Sequence, residues 1–234
     1  SMNISKKIVV LTNSYFYNFF LHNLFKRKTV EILPYIKNNQ LDDNYLKYKN
    51  SENFMNIGFL GRLSSEKGIE SIIEVSNFMN KKNIAHKLLI AGDDKDKRFQ
   101  KYIYKLKEIS RDNNSIKFLG KINEKEKNLF FKDIDFLILP SINSFEAFGL
   151  VQLEAMSYGK LVLVSNLKGV NYPVLLTKNG IIFNEHKKNL IYESLIEIKK
   201  MSLNIDKKNI IKNYTDHFNK ENYEREFSKI LEIN

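Results

Sequence analysis

The 234-residue sequence predicts an α/β fold, a parallel sheet wound with helices on both faces. Two observations carry this. Short apolar runs recur along the chain, among them Phe136-Leu-Ile-Leu-Pro140 and Leu161-Val-Leu-Val-Ser165. Runs without polar alternation read as strands buried on both faces. Between them stand segments with apolar residues at helical spacing, such as Ile69, Ile72, Ile73 and Ser76.

The elements follow in order. Lys6 to Asn13 reads as a strand. Ser14 is the expected N-cap of a helix to Phe25, with Phe16, Phe19, Phe20 and Leu24 on one face and further apolar surface around it. Thr29 to Leu33 is a strand ended by Pro34, and residues 37–53 read as a polar loop or linker. A regular alternation then begins. Strands are expected at Asn56–Leu60, His86–Ala91, Ser115–Leu119, Phe136–Pro140, Leu161–Ser165 and Gly180–Phe183. The helices between and after them start at Ile69, Lys97 (Tyr102, Leu106 and Ile109 inward), Glu124 (carrying Leu129 and Phe130), Phe148 and Leu190 (presenting Ile191, Leu195 and Ile198). A last helix presents Tyr223, Phe227, Ile230 and Leu231. In such sheets ligands sit at the carboxyl ends of the strands.

Composition narrows the function. With no cysteine there is no disulfide framework, thiolate nucleophile or cysteine metal site. The apolar runs are too short to span a bilayer, and no signal-peptide core stands out, so a cytoplasmic location is expected. The net charge of +11 fits either a membrane-surface role or ordinary lysine-rich solvated faces. Nucleic acid ranks last, because no zinc-finger, basic-zipper or RNA-recognition signature is present. The four histidines form no cluster, and Asp94 and Asp96 read as helix caps in preference to metal ligands.

The chemistry gathers in Ser144 to Lys160. Glu146 and Glu154 flank Phe148-Gly149-Leu150 at the expected start of a helix, whose free N–H groups and partial positive charge suit an anion. A carboxylate on each side would repel a bare phosphate but suit the hydroxyls of a sugar beside one, so the combination points to a nucleotide-sugar. Gly61-Arg62 and Glu66-Lys67-Gly68 put two cations on one strand-to-helix loop, either to hold a diphosphate or as solvated surface groups. It is not a Walker loop, since no Lys-Ser/Thr pair follows. Phe118-Leu-Gly-Lys121-Ile122 ends a strand and could border a base through its backbone.

Together these motifs resemble the donor-binding half of a family-four retaining glycosyltransferase of GT-B fold. The match rests on Gly61-Arg62-x-x-x-Glu66-Lys67-Gly68, Phe118-Leu-Gly120, the strand from Asp135 to Pro140, and Glu146-Ala-Phe-Gly-Leu-Val-x-x-Glu154-Ala-Met-x-x-Gly159. The resemblance implies a Rossmann-like doubly wound sheet over residues 54–205. It makes residues 1–36 the end of an acceptor domain with its hinge, residues 37–53 a linker, and residues 206–234 a helical segment returning toward that domain.

It also implies roles. Arg62 and Lys67 would bind the donor diphosphate, Glu154 the ribose hydroxyls and Glu146 the sugar hydroxyls. Gly61 would let the backbone approach, the N–H groups of Phe148, Gly149 and Leu150 would meet sugar and phosphate, and Lys121 and Ile122 would border the base. No divalent metal or other cofactor is expected. The partners implied are a UDP- or GDP-sugar, a saccharide or lipid-linked acceptor, peripheral membrane contact, and a homodimer through the N-terminal apolar helix. Without the rest of the acceptor domain this chain would bind donor without turning over. A nucleotide-sugar epimerase and a non-catalytic nucleotide-binding module are the competing readings.

Overall fold

A computed structural model describes residues 7–16, 22–36, 41–47, 51–143 and 146–231. The chain opens with β1 (Ile8–Val10), α1 (Asn13–Phe16), α2 (His22–Phe25) and β2 (Thr29–Glu31). β1 and β2 form a two-stranded parallel sheet of their own, with Ile8 beside Thr29. α1 begins at Asn13, so Ser14 lies inside the helix and is not its cap. Phe16 and Phe25 are buried while Leu24 is 73% exposed, so Phe16 and Leu24 do not share a buried face. Phe19 and Phe20 lie outside the described residues.

Glu31 fastens this unit to the rest of the molecule. Its carboxylate accepts from the Asn13 N–H at 2.6 Å and from the Tyr172 hydroxyl at 2.7 Å. Farther on, the Tyr214 hydroxyl donates to the Ile36 carbonyl at 2.7 Å and accepts from the Ile36 N–H at 3.1 Å. Within the stretch read as a loop, α3 (Asp43–Lys47) forms, with Asp42 accepting from the Tyr45 N–H at 2.7 Å. That is an ordinary N-terminal cap.

The main body alternates strand and helix: β3 (Met55–Leu60), α4 (Ile69–Lys81), β4 (His86–Ala91), α5 (Gln100–Ile109), β5 (Ile116–Gly120), α6 (Glu124–Asp133), β6 (Phe136–Leu139), α7 (Leu150–Ser157), β7 (Leu161–Ser165), α8 (Tyr172–Thr177) and β8 (Gly180–Phe183). Three helices close the chain: α9 (Lys188–Asn204), α10 (Lys207–His217) and α11 (Lys220–Leu231). The six strands are all parallel, in the order β5-β4-β3-β6-β7-β8. β6 and β7 are buried along their whole length, as strands covered on both faces must be. α4 packs with α5 and α9 in one layer, and α7 packs with α10 in another.

Helix faces differ in places from the sequence pattern. On α6 the buried pair is Phe130 and Phe131, and Leu129 is 62% exposed. On α5 Ile103 joins Leu106 in the core. The inward face expected of the last helix belongs instead to α10, through Ile210 and Tyr214; α11 buries none of its residues. His86 is structural, its ring held between the Ser76 hydroxyl at 2.7 Å and the Ile84 carbonyl at 2.8 Å.

Candidate active site

The strand order reverses direction between β3 and β6. A crevice opens at such a point, outside the carboxyl ends of the two strands. The loops that follow these strands are the two with the charged motifs, and they touch. The Ile142 N–H donates to the Glu66 carbonyl at 2.9 Å. Gly68 sits at φ +65°, and a Cβ there would fall 2.0 Å from the Pro140 carbonyl oxygen, so the approach needs glycine.

Lys67 and Glu146 meet across this contact. The Lys67 ammonium donates to Glu146 Oε2, and the two side chains are 15% and 13% exposed. Lys67 ends a 3₁₀ turn (Ser65–Lys67), and Glu146 lies just before α7. Arg62 stands on the solvent side. Its guanidinium is 3.1 Å from Glu66 Oε1 and 5.5 Å from the centre of the Phe99 ring. The buried Ser64 hydroxyl donates to the same Glu66 oxygen at 2.6 Å. Burial raises the Glu66 pKa, but the Ser64 bond, a backbone bond and the charges of Arg62 and Lys67 outweigh it, and the net shift is downward. Glu66 is therefore a fixed anion that holds Arg62 over Phe99.

α7 starts on Gly149, at φ +72°, where a Cβ would meet Leu139 at 2.4 Å. Phe148 is buried with its ring edge-on to Phe218, while Leu150 is 47% exposed. In the first turn of α7 the Gln152 N–H already donates to the Gly149 carbonyl at 2.9 Å, while the N–H groups before it have no acceptor within the helix, as at any helix start. Glu154 lies one turn further along and faces α6. Its carboxylate is 3.5 Å from the Lys127 ammonium, which also meets Glu124 at 2.9 Å. Burial lowers the Lys127 pKa, but Glu124 and Glu154 together raise it above the usual lysine value. Lys121 and Ile122 follow β5, two strands away from the crevice, Lys121 exposed and Ile122 partly buried. Asp96 acts as a cap, accepting from the Arg98 N–H at 3.0 Å, and Asp94 binds the Lys107 ammonium at 2.8 Å.

The fold thus brings Lys67, Glu146, Gly68 and Gly149 together, sets Arg62 beside them, and leaves Glu154 and Lys121 on the flanks. Sequence reasoning assigned no role to Glu66, although its four-residue spacing from Arg62 was the available signal. Phe99 and Lys127 come from other loops and helices and gave no local signal. Among the described residues, no group of three or more His, Asp or Glu side chains is arranged to hold a metal ion. No helix among them is long and apolar enough to cross a membrane.

The fold is that of the GT-B glycosyltransferases. The crystal structure of a glycosyltransferase from Rickettsia africae superposes with a TM-score of 0.77 at 21% identity, over 96% of this chain and 62% of that one. The Anabaena protein Alr3699/HepE, solved in complex with UDP and glucose, superposes with a TM-score of 0.77 at 18% identity, over 98% of this chain and 64% of that one. In sequence, an uncharacterised glycosyltransferase of Methanocaldococcus jannaschii is 27% identical over 209 residues, covering 81% of this chain and 55% of the relative. The chain thus spans about half the length of that relative. The family model described as "Glycosyl transferases group 1" matches residues 42–217, and the chain belongs to that family.

Proposed function

We propose that the chain is the donor-binding half of a retaining hexosyltransferase. It takes a nucleoside-diphosphate sugar, UDP-sugar in preference to GDP-sugar, for transfer to a polysaccharide or glycolipid acceptor. The observation that carries this is the Lys67–Glu146 contact, which joins the loops after β3 and β6 where the strand order reverses. Without ligand the two charges neutralise each other. A donor separates them: Lys67 turns to the diphosphate, and Glu146 accepts from sugar hydroxyls.

The leaving nucleoside diphosphate gathers negative charge as its bond to the anomeric carbon breaks. Arg62, Lys67 and the N-terminus of α7 meet that charge with fixed cations and dipoles, without a divalent metal. The acceptor oxygen attacks the anomeric carbon from the face the diphosphate leaves, and a phosphate oxygen takes the acceptor's proton. Configuration is retained. Glu154 serves the ribose by exchanging its contact with Lys127 for hydroxyl donors. Gly61, Lys121 and Ile122 border the nucleotide, and Phe148, Gly149 and Leu150 supply N–H groups to sugar and phosphate. The UDP bound to the Anabaena neighbour supports uracil as the base. The protein acts in the cytoplasm at the membrane face, and the apolar surface around Leu24 joins two copies weakly.

Calorimetric titration with UDP and with GDP, each with and without EDTA, tests the reading. One nucleotide binds, EDTA leaves its affinity unchanged, and Arg62→Ala weakens it about tenfold or more, as loss of a charge-assisted hydrogen bond requires. Binding that needs added metal, or that Arg62→Ala leaves unaltered, overturns it.

A further inference from the structure

The loop that carries Glu146 runs from the end of β6 to the start of α7, and its two ends are held by different partners. At the far end the Gln152 amide donates to the carbonyls of Phe148 at 2.6 Å and Val170 at 3.0 Å, within the core. At the near end one peptide unit, Ser141–Ile142, is gripped from both sides. Its N–H, on Ile142, donates to the Glu66 carbonyl at 2.9 Å. Its carbonyl, on Ser141, accepts from the imidazole of His186. The Ile142 side chain is 48% exposed, so hydrogen bonds more than apolar burial of that residue fix the peptide.

His186 reaches the loop from the outer edge of the sheet. It follows β8, which β7 separates from β6, and its ring stands edge-on to the buried Phe183 ring at 5.2 Å between centres. Its Nδ1 is buried and lacks a hydrogen-bond partner among the described residues. The hydroxyls of Ser141 and Ser165, at the ends of β6 and β7, lack one too. Buried polar atoms left unpaired are few in native structures, and each asks for an explanation.

Burial lowers the His186 pKa, and the Ser141 carbonyl only partly opposes it. The ring is therefore neutral at pH 7, with one N–H engaged by Ser141 and one bare nitrogen. No charged group contributes to that shift. Glu185 and Lys187, on either side of His186, pair with each other at 2.6 Å, and Lys188 lies over the Phe78 ring. On the facing loops Glu66 meets Arg62, and Lys67 meets Glu146.

We propose that His186 is a positioning residue for Glu146: its neutral imidazole holds the Ser141–Ile142 peptide against the loop after β3, and so sets the course of the chain that brings Glu146 to the donor sugar. This role rests on the proposed donor site, where Glu146 meets the sugar and Lys67 the diphosphate. Protonation draws the ring toward water, because the new N–H finds no acceptor in place, and the hold on Ser141 is lost. The sugar feels this and the nucleotide does not, since Gln152 anchors the other end of the loop independently.

Two measurements test it. The first needs no ligand. Amide chemical shifts of the native chain are followed from pH 8 to pH 5. The signals of Ile142 and Glu146 move in one transition that coincides with that of the His186 ring, and His186→Gln, which keeps an N–H donor but cannot titrate, removes it. Shifts that stay fixed, or a transition that survives in His186→Gln, overturn the proposal. The second compares UDP-glucose with UDP by calorimetry. His186→Ala weakens UDP-glucose about tenfold, as loss of one hydrogen bond requires, and leaves UDP within about twofold. His186→Gln restores the sugar nucleotide and frees its affinity from pH between 7 and 5. Equal losses for both ligands assign His186 a structural role alone and overturn the proposal. If neither ligand binds the native chain, the donor-site reading fails, and the amide shifts decide by themselves whether His186 holds the loop.

Discussion

At the scale of single residues the crevice depends on two backbone positions as much as on its charges. Gly68 and Gly149 both hold left-handed conformations, and each stands where a Cβ would strike the neighbouring loop or strand. Gly68→Ala therefore costs at least about 2 kcal/mol, from the left-handed backbone plus the collision with Pro140. Gly61→Ala is the control. A Cβ there meets only the Phe59 ring at 3.5 Å, an ordinary contact, so its effect on stability is within about 0.5 kcal/mol. Urea unfolding of both variants checks the contrast, and equal losses would contradict it. Arg62, Lys67 and Glu146 could be singled out as candidates because their spacing on either side of strand ends has a chemical meaning. Phe99 was not, because its contact with Arg62 exists only once the loops after β3 and β4 lie side by side.

Among elements, the strands were the most legible. β4, β7 and β8 fall on the residues that the apolar runs mark, and β7, buried throughout, leaves the continuous hydrophobic signal of a doubly covered strand. Helices were less so. α8 is six residues long with proline in its first turn, too short to show a period. α10 buries Lys207 beside Ile210 and Tyr214, and a lysine on a core face hides the periodicity.

The burial of Lys160 has a measurable consequence. Lys160 faces Lys132, Lys199, Lys207, Asp133 and Asp135, and its folded pKa of about 7 lies well below the value of about 10.4 for a lysine in an unfolded chain. Between those two pH values the unfolded chain binds more protons, so this group makes stability rise with pH; below about 7 it contributes no slope. The Tm of the native sequence should therefore gain on that of Lys160→Met between pH 7 and pH 9.5. Parallel curves would show that Lys160 stays protonated in the fold. Lys207, also shifted downward by burial, adds a smaller slope of the same sign that the variant keeps.

For the whole molecule, the N-terminal unit leaves Val9, Leu11 and Leu24 at 51%, 38% and 73% exposure. If two copies join there, sedimentation velocity between about 1 and 100 µM shows a rising weight-average coefficient that Leu24→Glu abolishes. A single species throughout that range removes the homodimer. This organisation was only partly legible in sequence: the two strands could be read from their runs, but not their pairing or the contacts that hold them.

Those contacts differ in kind. Glu31 reaches Tyr172 through one partly buried hydrogen bond from a side chain. Ile36 is held through both its backbone groups by Tyr214, a fully buried ring stacked on Phe218. Losing Tyr172 would therefore remove one side-chain bond, whereas losing Tyr214 would strip Ile36 of partners for both its backbone groups. Gly169 sits between Tyr15 of the N-terminal unit and the backbone of Ala147 beside Glu146, so the unit that these contacts hold is wedged against the crevice itself.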